Sequence, residues 1–122
     1  MATMRGGRGV LDAAAAFTSL GTATSSTYDP DPGTTVITFS VKATKAGSWI
    51  LYGLSGNGSD LVALTDARTV TADTRDAYSE SSAWPFYVLK FTDTSGNTGT
   101  VEFRVEGCGP SMGGRGGEQY VP

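Results

Sequence analysis

The clearest pattern in the chain runs over residues 35–43, where Ile37, Phe39, Val41 and Ala43 fall on one face and Thr38, Ser40 and Lys42 on the other. That period of two is the mark of a strand with one buried face. Residues 100–106 repeat it, with Val101, Phe103 and Val105 set against Glu102, Arg104 and Glu106. Residues 48–54 differ, because Trp49, Leu51 and Gly53 alternate with Ile50, Tyr52 and Leu54 and both faces are apolar. A strand of that kind is expected at the centre of a sheet with cover on both sides. Residues 84–92 form a further strand, with Trp84, Phe86 and Val88 opposite Tyr87, Leu89 and Phe91, and Pro85 at its start suits a strand entry.

Turn chemistry separates these segments. Tyr28-Asp-Pro-Asp-Pro-Gly33 carries two prolines that cannot donate to a ladder, and Lys45-Ala-Gly47 and Asp93-Thr-Ser-Gly-Asn-Thr-Gly99 are further turns. Ser55-Gly-Asn-Gly-Ser59 predicts a hairpin, because Gly and Asn tolerate the positive φ of tight turns, and residues 61–64 then pair back. Residues 66–72 read as an edge strand through Val70 and residues 73–82 as an exposed polar loop. Residues 17–24 form a weak strand candidate broken by Gly21. Residues 10–17, with four consecutive alanines, fit either a short helix or an extended lead-in.

Short strands joined by Gly, Asn and Asp turns predict an all-β antiparallel β-sandwich, jelly-roll-like, since a sheet with one apolar face must cover it with another layer. A chain of 122 residues suits one domain. Its expected parts are an N-terminal arm and lead-in at 1–16, the sandwich at 17–107 and a Gly-rich C-terminal arm at 108–122. The arms are expected because Arg5-Gly-Gly-Arg8-Gly9 and Gly113-Gly-Arg115-Gly-Gly117 lack the apolar residues to offset the entropy of ordering them. Such segments would take a fixed shape against other molecules, with Arg5, Arg8, Arg115 and Tyr120 as the contact residues, because a guanidinium fork matches carboxylates and phosphates.

Charge narrows the partners. The net charge of −3 disfavours polyanions, so no nucleic acid is expected, and no segment approaches the roughly 20 apolar residues of a membrane helix. One cysteine, Cys108, forms no internal disulfide, and no secretory signal pattern precedes the strands, which points to a reducing cytoplasm.

Candidate chemistry is sparse. There is no histidine, which removes the commonest general base and transition-metal ligand, and Cys108 between two glycines reads as a packing residue. Asp29 with Asp31 and Asp73 with Asp76 offer oxygens to a calcium ion or simply start turns. No catalytic, metal or cofactor residues are assigned, and no enzyme is expected. Among the aromatic residues Trp49 and Trp84 read as core anchors, whereas Tyr78, in a polar stretch, is the better candidate for exposed contact.

The run Trp49-Ile-Leu-Tyr-Gly-Leu-Ser-Gly-Asn-Gly58, followed by residues 61–64 and Asp66-Ala-Arg68, resembles the middle of discoidin-type (galactose-binding-like) jelly rolls. Trp84-Pro-Phe-Tyr-Val-Leu-Lys-Phe91 and Gly99-Thr-Val-Glu-Phe-Arg-Val105 resemble the last two core strands of that family, so the resemblance covers residues 49–107. It implies glycan contact through the loops near Asn57, Tyr78 and Asn97. In layout the chain is also similar to small accessory proteins of tailed-phage heads and tails. The leading expectation is therefore a non-enzymatic virion structural protein, a capsid decoration or cement subunit or a tail or collar component, homo-oligomeric and anchored to the major capsid or other virion proteins by its arms. The alternative is a glycan-binding module.

Overall fold

The computed structural model describes residues 3–55, 60–81 and 84–108, which form two facing sheets and no helix. In chain order the strands are β1 (Thr3–Arg5), β2 (Arg8–Phe17), β3 (Thr22–Thr24), β4 (Thr27–Asp29), β5 (Val36–Ala43), β6 (Gly47–Leu54), β7 (Leu61–Ala63), β8 (Arg68–Val70), β9 (Arg75–Ser81), β10 (Phe86–Asp93) and β11 (Gly99–Cys108). The first sheet runs β1-β4-β10-β6-β7, with β3 also pairing β10 and β8 also pairing β6; the second runs β2-β11-β5-β9. All pairs are antiparallel except β1 with β4. The expected all-β sandwich is the observed architecture.

The core lies between the sheets and is made by the alternation described above. Ile37, Phe39, Val41, Val101, Phe103 and Val105 face Trp49, Leu51, Tyr87, Leu89 and Phe91, and all are buried. Aromatic pairs cross the interlayer space: Phe17 meets Phe91 at 5.0 Å between ring centres, Phe39 meets Tyr87 at 5.2 Å, and Tyr28 meets Phe39 edge-on at 6.1 Å. Tyr28, which reads in sequence as part of a proline turn, is instead a fully buried residue of β4. On the outer side of β6, Ile50 and Tyr52 remain partly exposed, so only one face of this central strand is fully covered within the chain.

β3 and β4 behave as one strand interrupted at Ser25. The Ser25 N–H donates to the Leu89 carbonyl at 2.8 Å, and the Leu89 N–H donates back to the Ser25 hydroxyl at 2.9 Å. The side chain thus supplies an acceptor where the ladder breaks, at a site with no solvent access. From the other sheet, Asp12 of β2 accepts from the Ser26 N–H at 2.6 Å and its hydroxyl at 2.9 Å.

Near the N-terminus two segments depart from expectation. Residues 10–17, read as a helix or lead-in, form most of β2, because pairing along β11 outweighs the weak preference of four alanines; the register slips twice there, between Val101 and Phe103 and between Phe103 and Arg104. Residues 3–9, read as a mobile arm, pass from β1 in the first sheet to β2 in the second. Gly6 and Gly7 make that crossing at φ of 62° and 68°. The Gly6 N–H donates to the Asp29 carbonyl at 2.6 Å, and the Tyr28 hydroxyl donates to the Gly7 carbonyl at 2.9 Å. Burial, with Asp31 and Asp29 close by, pushes the Tyr28 phenol up to about 12, so it stays a donor.

Candidate functional site

Of residues 73–82, expected as a loop, Arg75–Ser81 instead form β9, a regular edge strand paired to β5 from Val36↔Ser81 to Lys42↔Arg75. Its inward positions Asp76, Tyr78 and Glu80 are polar or aromatic, so the alternation is present but not apolar. β8 precedes it in the other sheet, with Arg68 opposite Trp49. The short link between them passes from one layer to the other, held by the Asp73 N–H on the Ala43 carbonyl at 2.7 Å. Two strands adjacent in sequence therefore frame the open side of the sandwich.

A clasp closes that side. The Arg68 Nε donates to the Asp76 carboxylate at 2.9 Å, and a second guanidinium nitrogen reaches the other carboxylate oxygen at 3.4 Å. Asp76 also accepts the indole N–H of buried Trp49 at 2.7 Å, and Arg68 donates to the Ala77 carbonyl at 3.2 Å. Burial works against the charge on Asp76, but hydrogen bonds from Arg68 and Trp49 and the Arg68 charge hold its carboxyl below the usual range. The Arg68 guanidinium lies 5.9 Å from the Trp49 ring centre and 5.2 Å from that of Tyr78. Tyr78 in turn donates its hydroxyl to Glu80 at 3.0 Å, an interaction that raises its pKa.

Beside the clasp is a groove of about 530 Å³ lined by residues 65–69, Asp76 and Tyr78. Its floor segment is tied down where the Leu64 N–H donates to the Leu51 carbonyl at 2.8 Å and the Leu51 N–H donates to the Thr65 hydroxyl at 3.3 Å. The groove presents two aspartates, a guanidinium, threonine hydroxyls and one aromatic side chain. Such a set offers both donors and acceptors to a polar ligand.

The sequence-derived candidates are dispersed. Tyr78 lines the groove, but Asn97 sits in the turn after β10, where its N–H donates to Asp93 at 3.2 Å and its side-chain amide to the Ser95 carbonyl at 3.3 Å. Arg5 and Arg8 are exposed on either side of the Gly6-Gly7 crossing. Asn57, Arg115 and Tyr120 lie outside the described residues. Of the two carboxylate pairs considered for calcium, Asp76 is taken up by Arg68 and Trp49. Among the described residues no three Cys, Asp or Glu side chains gather as a metal site would require. Sequence reading named Asp76 only with Asp73 for calcium and Arg68 only within the family resemblance, and it did not single out Thr65; the one available signal for the clasp was the polar alternation of residues 75–81.

No family model matches the sequence, and no curated protein matches it. Solved structures do. The PBSX exported protein XepA superposes with a TM-score of 0.68 over 94% of this chain at 14% identity, and the chain spans 41% of that protein's length. The Yersinia pseudotuberculosis-derived mitogen superposes with a TM-score of 0.54 over 83% of the chain and 86% of its own length, at 12% identity. At these identities the likeness is one of fold.

Proposed function

We propose that this protein is a non-enzymatic structural subunit of a phage virion, a capsid decoration or cement protein or a tail or collar component. Its body is the rigid two-sheet sandwich. The carboxyls displaced from their ordinary range among the described residues, Asp76, Asp93 and Glu102, are all lowered by hydrogen bonds within the fold, with Arg68 beside Asp76 and Arg75 and Arg104 beside Glu102, and they serve there as structural acceptors. The virion reading draws support from the overlay with an exported protein of PBSX, in which this sandwich corresponds to part of a longer chain. Arg5 and Arg8 at the sheet crossing, together with Arg115 and Tyr120 in residues 109–122, are the contacts toward major capsid or other virion proteins.

Electron microscopy of purified particles with an antibody to this chain tests the reading. Regular labelling of heads, tails or collars is the expected result, and particles free of the protein overturn it. Truncation after Cys108, combined with Arg5→Ala and Arg8→Ala, should strip the protein from particles while the sandwich stays folded; retention would remove the anchoring role of these residues.

A second reading, glycan binding, is favoured by the groove at Arg68, Asp76 and Tyr78 and by the discoidin-like resemblance over residues 49–107. Tyr78→Ala should weaken retention on a glycan array at least tenfold without unfolding the chain. An array without hits for folded wild-type protein removes this reading.

A further inference from the structure

Charge is divided unevenly over the sandwich. The register of the second sheet puts Arg8, Lys42, Arg75 and Arg104 on its outer face together with Glu102 and Glu106, because the residues that alternate with them, such as Val41, Phe103 and Val105, point into the core. Four of the nine Lys and Arg in the chain thus share a face with only two of the twelve Asp and Glu, so this face is positive in a chain whose net charge is −3. Its arginines are held in place. Arg75 donates to Glu102 and, at 2.9 Å, to the Ser40 hydroxyl, and Arg104 reaches the other Glu102 oxygen at 3.4 Å. Lys42 lies opposite Glu102 on the next strand and Arg8 opposite Glu106; both are exposed and make no ion pair among the described residues.

The opposite sign collects on one flank, where β7 and β8 run along the side of β6 away from β10 and β9 borders the other sheet. Asp60, Asp66, Asp73, Asp76 and Glu80 lie along it, with Arg68 as the cation among them. Arg68 and Trp49 take up Asp76, and Tyr78 takes up Glu80. Asp60, Asp66 and Asp73 are exposed, and their carboxylates make no hydrogen bond or ion pair among the described residues. Leu61 stands opposite Leu54 and Arg68 opposite Trp49, which sets Asp60 and Asp66 about four residues of β6, or roughly 13 Å, apart. Lys42 and Arg8 are offset by the same length, the step along β11 from Glu102 to Glu106.

We infer that the acidic flank of one copy docks on the basic outer face of another, bringing Asp60 and Asp66 to Lys42, Arg104 and Arg8. The complement of each surface is present on the same chain, and their charged groups match in sign and in length along the strands. Because Glu102 already fixes two of the guanidinium groups, little side-chain entropy is lost on contact. Flank and face are different surfaces of one copy, so the contact is heterologous. Each copy in a pair keeps one of the two surfaces open for a further neighbour, which gives rings or strings in place of closed dimers. The contact needs no other protein, so its test stands apart from that of the virion reading.

Sedimentation velocity of the full chain over a wide concentration range is the test. The wild type is expected to associate beyond the dimer at low salt, and its association to weaken about tenfold as salt rises from about 0.05 M to about 0.5 M. Lys42→Gln with Arg104→Gln disables the face, and Asp60→Asn with Asp66→Asn disables the flank. Each doubly substituted chain sediments as a monomer where the wild type associates, with the β-sandwich circular dichroism retained. Mixed in equal amounts, the two form a heterodimer and nothing larger, because one supplies only a flank and the other only a face. A monomeric wild type at every concentration overturns the inference. So does a mixture that stays monomeric or grows past two chains, and so does a monomer that heparin retains through Lys42 and Arg104, since the face then serves a polyanion.

Discussion

The indole N–H of Trp49 donates to the carboxylate of Asp76 at 2.7 Å, joining the buried centre of one sheet to the edge strand of the other. Arg68 holds the same carboxylate from the mouth of the sandwich, so three residues of three strands share one polar knot. Removing the carboxylate in Asp76→Ala leaves a buried indole donor and a half-buried guanidinium without their acceptor. A loss of about 2 kcal/mol is expected, read as a lower midpoint in urea, with Asp76→Asn losing less because it keeps one acceptor oxygen. Identical midpoints for all three proteins would show the knot to be energetically idle.

Asp93 sets an acid limit on stability. Burial opposes its charge, but donors from Ser95, Leu20 and Gly96 lower its carboxyl from 3.8 to about 2. A depressed folded-state pKa means the unfolded chain takes up the proton first as pH falls. Its stabilisation is therefore complete above about pH 4 and is lost as pH drops toward 2. Asp93→Asn should flatten part of that decline in the urea midpoint between pH 4 and 2, while Asp76 and Glu102, shifted in the same direction, keep the remainder. An unchanged acid profile would contradict the assignment.

Ser25 substitutes for a missing ladder acceptor. In Ser25→Ala the Leu89 N–H loses its partner at a site with no solvent, at a cost of about 1–3 kcal/mol. Amide hydrogen exchange gives the specific readout: exchange at Leu89 should accelerate more than at Leu51, its partner on β6. Uniform acceleration along both strands would point to a general loss of stability instead.

Gly6 and Gly7 both need positive φ, but their surroundings differ. A Cβ at Gly6 runs into the Asp31 carboxylate, whereas one at Gly7 meets open space. Gly7→Ala should destabilise by about 1 kcal/mol from backbone strain alone, and Gly6→Ala by more. Equal shifts in melting temperature would sink the distinction.

The sequence alone determined the layers. Period-two alternation over residues 35–43 and 100–106, and the aromatic strands around Trp49 and Tyr87, specified which residues are inside, because a strand's side-chain period does not depend on which partner it finds. The turn at Asp93 is also local, needing only the φ tolerance of Gly96 and the oxygens of Asp93, whereas the expected turn over 56–59 lies outside the described residues. Tyr78, a candidate contact in sequence, lines the groove, but its strand was not legible, because the inward positions of β9 are Asp, Tyr and Glu. Only the tertiary structure decided that Arg5-Gly-Gly-Arg8 is a crossing between sheets, that four alanines lie in β2, and that Arg68, Asp76 and Trp49 meet. Those outcomes depend on partners distant in the chain: Arg8 pairs with Glu106 of β11, and Trp49 reaches Asp76 across the layers. A glycine-rich or alanine-rich segment has little conformational preference of its own, so its structure is set by the strands that happen to lie beside it.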